Sequence, residues 1–474
     1  MRIASFPPRI SLLFSVIIIM VAFMGNSTIV AAAGQIQNQG NPSLYSRISL
    51  DADLRGLTDP NLRLEVVAQG LGPSTAMAFL GNSSNDILVT EQNTGEVRRI
   101  IDGRIQQEPL IDVAVANDNG SDGRGLLGMA VIDAFDNQTA ATSGNSPEVP
   151  ATTTYVFLYF TESGGGEDGD DGRGVVPAGN RLYRYELQED DGGAKLVNPQ
   201  LLLDLPAGPG VRHNGGPILA TYENVNNSKT ISIYLMVGNI DDRGKQIMNR
   251  EDGSPPDGTG GILRVDSEGN PFPDAILVDE GDPDSMLQYY YAYGIRSSFG
   301  IDFDPVTGNL WDSENGPDFG DEINLVEPGS NSGWAEVMGL ASAPENEGID
   351  IEEDLVDFNG RGNYSDPEFV WQETVAPTAI KFFDSTKLGA QYENDLFVGD
   401  FKTALLYHFD LNEDRTALAL SGELADKVAD SPDELESVVF GTELRITDLE
   451  VGPDGYLYVL TYTGTIYRVV PEEE

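Results

Sequence analysis

Two regions of the chain concentrate side chains able to do chemistry. The first is GPGVRHNGGPI, where His213 stands between glycines that let the backbone turn sharply and let the imidazole face a channel. Histidine titrates near neutral pH, the property that proton transfer needs. The only other histidine, His408 in ALLYHFDL, follows an outer-strand pattern and reads as a packing residue. The second region runs from Tyr293 to Trp334, YGIRSSFGIDFDPVTGNLWDSENGPDFGDEINLVEPGSNSGW. Its segment Ser313 to Glu322 holds too many glycines and acids, with a proline, for a strand interior, and is predicted to be a loop. Loops carried by a rigid sheet are where sites are built. A further acidic run, GEDGDDGRG (Gly166 to Gly174), offers carboxylates to a hard cation but lacks the residue spacing of an EF-hand loop, so a solvated loop is the simpler reading.

The elements that must hold these residues are short strands in a recurring unit. Ile301 and Phe303 alternate with Asp302 and Asp304, Pro305-Val306-Thr307-Gly308 supplies a turn, and Leu310-Trp311 begins the return strand. The same strand-turn-strand-strand pattern starts at Ala76, at Gly125 (GLLGMAV, then TYVFLYFTE and NRLYRYEL), at GPILATYE, at PTAIKFFDS and at Ile446, giving six copies. The predicted fold class is therefore all-β, a six-bladed antiparallel β-propeller over residues 62–471, with Leu62 to Gly70 a candidate strand that closes the ring. Glu189 to Lys195, Ser163 to Gly174 and Ala341 to Gly362 read as insertions between strands.

At 474 residues and 40% apolar composition the chain can bury a large core. A net charge of −49 excludes nucleic acid and anionic membrane surfaces as natural partners. Cysteine is absent, which removes disulfides, thiolate metal sites and a cysteine nucleophile. Residues 1–33 read as a signal peptide or N-terminal anchor, with Arg2 and Arg9 before the apolar run Ile10 to Met24 and small residues Ala31 to Gly34 after it. Residues 34–61 follow as a polar linker, and the expected location is secreted or extracytoplasmic.

Several motifs, taken in order, resemble the soluble quinoprotein sugar dehydrogenases, the glucose/sorbosone dehydrogenase family that uses pyrroloquinoline quinone (PQQ). They are GRGLLGMAV, RHNGGPI, YGIRSSFGIDFDPVTGNLW, SENGPDFGDEINLVEPGSNSGW, TVAP, GDFK and RITDLEVGPDG, spread over nearly the whole chain after the N-terminal segment. The resemblance implies oxidation of the C1 hydroxyl of an aldose to a lactone, with PQQ and Ca²⁺ as cofactors and an electron acceptor still to be identified. It makes His213 the general base and puts Arg296 beside the quinone oxygens, where a fixed cation stabilises developing charge. Lys402 and Arg445 match positions facing the carboxylates of PQQ, and Asn315, Thr374 and Asn239 match other cofactor-side positions. The carbonyls of Gly316 and Pro317 match the Ca²⁺ loop, and Glu322 matches a second, structural calcium position.

The chain departs from the family pattern at identifiable points. Ser297-Ser298-Phe299 replaces the usual Asn-Pro-Gln, Asn239 stands for an aspartate, Thr447 for an arginine and Ser332 for a tyrosine, and no glutamine accompanies Arg124. Two other functions suit such a scaffold: a non-catalytic propeller binding glycans or proteins, and a Ca²⁺-dependent lactonase or esterase. Survival of His213, Arg296, Lys402 and Arg445 in a chain poor in basic residues favours the dehydrogenase, since a pure binding module has little need of all four.

Overall fold

A computed structural model describes residues 56–117, 123–135, 152–169, 174–190, 193–225 and 227–472. The predicted signal peptide or anchor and most of the predicted linker lie outside the described residues. So do residues 170–173 of the Gly166 to Gly174 run.

Short apolar runs bounded by turns form strands throughout, and they are organised as six sheets in chain order. The first contains Ser74–Phe79, Asp86–Glu91 and Glu96–Ile101, and the second Leu126–Phe135, Thr152–Glu162, Gly179–Asp190 and Gly193–Leu205. The third begins with Ile218–Val225, the fourth with Ser298–Phe303, the fifth with Pro377–Phe382 and the sixth with Ile446–Val451. Each of the six repeats read from the sequence corresponds to one sheet. The leading strands touch one another in cyclic order, the sixth returning to the first. The sixth sheet is completed by Leu62–Gln69, which pairs antiparallel with Thr465–Pro471, so the segment is a strand as predicted.

Middle strands are sandwiched by neighbouring sheets on both faces, which explains why they read as continuous apolar runs rather than alternating ones. Val156 to Phe160 are at most 3% exposed, and Ile233 to Val237 are buried likewise. Trp311 and Trp371 fill the space between the fourth and fifth sheets with Phe369, Phe382 and Tyr407. His408 packs edge-on against Tyr392 and alongside Phe397, as the outer-strand pattern predicted, and its Nε2 lies 3.0 Å from Asp395 Oδ2. Among the described residues no helix is long and apolar enough to cross a membrane.

Three local expectations are corrected. The segment Ser313 to Glu322 is not all loop: Leu310–Glu314 and Asp321–Val326 are strands paired Glu314 to Glu322, leaving only 315–320 as the turn. Glu189–Asp190 and Gly193–Lys195 are not an insertion but the tip of a long hairpin, Gly179–Asp190 against Gly193–Leu205. Asp302, read as a solvent-side position, is 7% exposed, because the neighbouring sheet presents Lys381 Nζ at 3.3 Å and the Phe382 amide at 2.8 Å.

Candidate functional site

At one end of the sheets, three loops are stitched together by main-chain hydrogen bonds. His213 O accepts from Ile240 N at 3.1 Å, and Arg296 O accepts from Asn239 N at 2.9 Å. Gly238 allows this approach, since a Cβ there would lie 2.4 Å from His213 O. His213 adopts φ +58° in the loop before the third sheet, a left-handed conformation held by these bonds.

The His213 side chain has a defined tautomer. Asn239 Nδ2 donates to Asp242 O at 3.1 Å and Asp241 N donates to Asn239 Oδ1 at 3.2 Å, which orients the amide with its oxygen toward the ring. That oxygen lies 2.7 Å from His213 Nδ1, so Nδ1 carries the hydrogen and Nε2 keeps its lone pair. Burial, followed by the charges of Arg296 and Arg212, depresses the imidazole to a pKa of about 4 against the Asn239 and Asp241 contacts. His213 is thus a neutral base over the physiological range.

Arg296 is fixed from three sides. Its amide donates to Glu314 Oε1 at 2.6 Å, its Nη1 donates to Asn315 O at 2.8 Å, and its guanidinium carbon lies 5.4 Å from the centre of the Trp334 ring. Arg243 occupies the same ring at 4.6 Å. Burial, and then the charge of Arg243, hold the Arg296 guanidinium below its ordinary pKa. Arg296 Nε is buried without a hydrogen-bond partner, an orphan donor of the kind a ligand satisfies.

Asn315 bridges two sheets, donating from its amide nitrogen to Pro377 O at 2.9 Å and from its backbone to Ser297 O at 2.7 Å. Asp321 then ties the 315–320 turn to the fifth sheet: one carboxylate oxygen accepts from Gly316 N at 2.8 Å, the other from Val375 N at 2.6 Å and Ala376 N at 2.7 Å. Gly316 has no room for a side chain, because a Cβ would fall 1.9 Å from Phe319 O. The Gly316 and Pro317 carbonyls accept no backbone hydrogen bond among the described residues. Lys402 Nζ donates to Thr374 O at 2.6 Å and Thr374 Oγ1 at 2.8 Å, and Arg445 lies over the Phe401 ring at 5.5 Å.

A cavity of about 580 Å³ opens between the leading strands, lined from every sheet by residues such as Thr75, Leu127, Ile218, Phe299, Thr378 and Thr447. Asn315 and Arg445 line it directly, and Gly215, Ala376 and Phe401 bring the loops of His213, Thr374 and Lys402 to it. Phe299 faces this space as a hydrocarbon surface. Ser297 Oγ is buried and unpartnered.

Glu322 is not with this group. It lies on the third strand of its sheet, buried opposite Glu314, accepting from Gly339 N at 2.5 Å and from Asn324 at 3.3 Å. Asp312, Glu314 and Glu322 share a buried face with no ion-paired cation among the described residues, and burial drives Asp312 to a pKa of about 7 and Glu322 to about 8. Glu314, buried beside Glu322 and Asp312, is pushed well above the carboxylate range. Both oxygens of Asp312 and Oε2 of Glu314 are unpartnered. Sequence reasoning did not single out Asp321, Trp334, Arg243 or Glu314; for Asp321 the signal was present in its position between Gly320 and a strand.

A model of the Glucose / Sorbosone dehydrogenase family matches residues 72–468. The chain belongs to that family. Quinoprotein glucose dehydrogenase B of Acinetobacter calcoaceticus is 24% identical over 449 residues, covering 82% of this chain and 83% of its own. Aldose sugar dehydrogenase YliI of Escherichia coli (strain K12) is 30% identical over 215 residues, 45% of this chain and 51% of its own. Among solved structures, the PQQ-bound aldose sugar dehydrogenase of Streptomyces coelicolor superposes with a TM-score of 0.56 at 22% identity, over 87% of this chain and 98% of that one. That likeness bears on the fold, and the family match makes this chain one of the sugar dehydrogenases.

Proposed function

We propose that this chain is an exported, six-bladed β-propeller dehydrogenase that oxidises the C1 hydroxyl of aldose sugars to lactones with PQQ and Ca²⁺. The cyclic contact order of the leading strands around one shared cavity supports the propeller. The observation that carries the chemistry is the tautomer of His213: with Nδ1–H held by Asn239, Nε2 is the atom that accepts the anomeric proton. Its depressed pKa keeps that atom unprotonated. When bound, PQQ supplies an electrophilic quinone carbon that accepts the C1 hydrogen with its bonding electrons.

The residues present fit such a group. Arg296, with its orphan Nε, would stabilise negative charge on the quinone oxygens. Lys402 and Arg445 would hold carboxylates of PQQ, Asn315, Thr374 and Asn239 would add neutral contacts, and the free Gly316 and Pro317 carbonyls would hold Ca²⁺. A second calcium beside Glu322 would satisfy the unpartnered oxygens of Asp312 and Glu314. Export rests on Arg2, Arg9 and the apolar run after them.

The test is a PQQ titration of Ca²⁺-loaded protein followed by absorbance, then sugar-dependent dye reduction. A stoichiometric PQQ spectrum with turnover abolished by His213→Ala is expected. Absence of both PQQ binding and sugar oxidation across a broad panel overturns the proposal.

A further inference from the structure

The described basic residues divide by their surroundings. Away from the site they are held by carboxylates: Arg99 by Asp86 and Glu189, Arg181 by Glu162 and Asp204, Arg264 by Glu223 and Asp274, Arg468 by Glu65 and Asp454. With 77 acidic residues against 28 basic ones, pairing is the expected fate of a cation here. Arg104 and Lys195, both exposed, and Lys387, over the Tyr456 ring, have no carboxylate at ion-pair distance among the described residues, but they lie apart in the chain. Arg212, Arg243, Arg296, Lys402 and Arg445 also escape it, and they converge on one end of the molecule. Among the described residues none of these five has a carboxylate within ion-pair distance; their recorded partners are carbonyls, a hydroxyl and aromatic rings.

Three of the five have the roles toward PQQ given above, which leaves Arg212 and Arg243. Both are exposed, and both stand at the side where His213 sits. Arg212 adjoins His213 in the chain and its charge acts on the imidazole. Arg243 shares the Trp334 ring with Arg296, a like-charge juxtaposition opposed at Arg296 first by Glu314 and then by Asp241, which lies 3.4 Å from His213 Nδ1. The Arg243 guanidinium lies over Trp334, and no side-chain hydrogen bond from it is seen among the described residues; a planar guanidinium held this way suits bidentate capture of an oxyanion. Neither guanidinium pairs with the neighbouring carboxylates Asp241 and Asp242 among the described residues, so in a chain this acidic both stay available to a negative ligand.

We propose that Arg212 and Arg243 bind the negative group of an anionic aldose, so that the substrate class is the uronic acids rather than neutral sugars. A uronic acid carries both the C1 hydroxyl that His213 would deprotonate and a carboxylate for the guanidinium edge. The reaction balances as before: C1 loses its hydrogen with the bonding pair to the quinone and its hydroxyl proton to His213, giving the lactone of an aldaric acid and the two-electron-reduced cofactor. This inference rests on the dehydrogenase reading.

The experiment compares kcat/KM for galacturonate and glucuronate with that for galactose and glucose, using Ca²⁺-loaded protein whose PQQ content is verified by absorbance. At low ionic strength the acid sugars should lead by about tenfold or more, and the lead should shrink as salt is raised. Arg212→Gln or Arg243→Gln should cut the acid-to-neutral ratio by about tenfold. A galactose 6-sulfate arm identifies the anion: preference for galacturonate over the sulfate supports the uronate assignment, and preference for the sulfate overturns it. Parity with neutral sugars, or a ratio indifferent to both substitutions, also overturns it. If PQQ does not bind, the dehydrogenase reading fails separately. Calorimetry of galacturonate against galactose on the Ca²⁺-loaded protein then decides the anion site by the same comparison.

Discussion

Asn239→Asp places a carboxylate where a neutral amide now holds His213 Nδ1 at 2.7 Å. Two unit charges about 4 Å apart interact by about 4 kcal/mol at an effective dielectric near 20. One pKa unit corresponds to about 1.4 kcal/mol, so the ceiling is a rise of about 3 units. Part of that is lost because the new carboxylate is itself buried, as Asn239 is only 1% exposed. His213 should therefore move from about 4 to between about 5 and 7. The assay is NMR of ring-labelled histidine: the chain has two histidines, and His408→Gln leaves a single resonance to follow. The acid limb of kcat/KM should follow the same displacement, since the protonated ring cannot act as base. A parent midpoint near the unperturbed histidine value, or one that Asn239→Asp leaves in place, refutes the electrostatic account of this site.

Other consequences are equally direct. Gly316→Ala drives a Cβ into Phe319 O, and calorimetry should show at least about tenfold weaker Ca²⁺ binding with most of the global stability retained. Asp321→Ala removes the acceptor for Gly316, Val375 and Ala376 N–H groups and should lower unfolding free energy by about 3 kcal/mol or more in urea. Asp312 and Glu322 have folded pKa values of about 7 and about 8, above the ordinary carboxylate range, so the unfolded chain releases its protons first. Chelator-treated protein should accordingly lose stability as pH rises from about 4 to about 8. Asp312→Asn with Glu322→Gln should flatten that slope, and a urea midpoint that climbs over this window contradicts the buried-proton picture. Deleting residues before Gly70 strips the partner of Thr465–Pro471 and should abolish cooperative thermal unfolding near the parent Tm, read by circular dichroism.

The repeats were legible because a strand sandwiched between sheets must be apolar on both faces, so TYVFLYF and ISIYLMV announce themselves without context. The loop around His213 was legible from its glycines. What escaped was polarity that looks solvated but is buried by a neighbouring sheet. Asp302 alternates correctly for a solvent face, yet Lys381, remote in the chain, meets it there. Glu314 and Glu322 read as loop acids because pairing two carboxylates opposite each other inside a sheet contradicts ordinary strand chemistry. Trp334 reads as one apolar residue among many, and only its position between Arg243 and Arg296 distinguishes it.

The strand Leu62–Gln69 has a temporal meaning as well as a spatial one. Its partner, Thr465–Pro471, is synthesised long after it, so Leu62–Gln69 stays unpaired while the strands between them are made. The four strands of the second sheet, Leu126–Phe135 to Gly193–Leu205, pair in sequence and can form in order of emergence, whereas Leu62–Gln69 with Thr465–Pro471 is the most distant strand pairing among the described residues. Until that encounter the edges of the first and last sheets stay open to foreign strands. The heavy negative charge then acts on the nascent chain, keeping partly folded copies apart until the two strands pair.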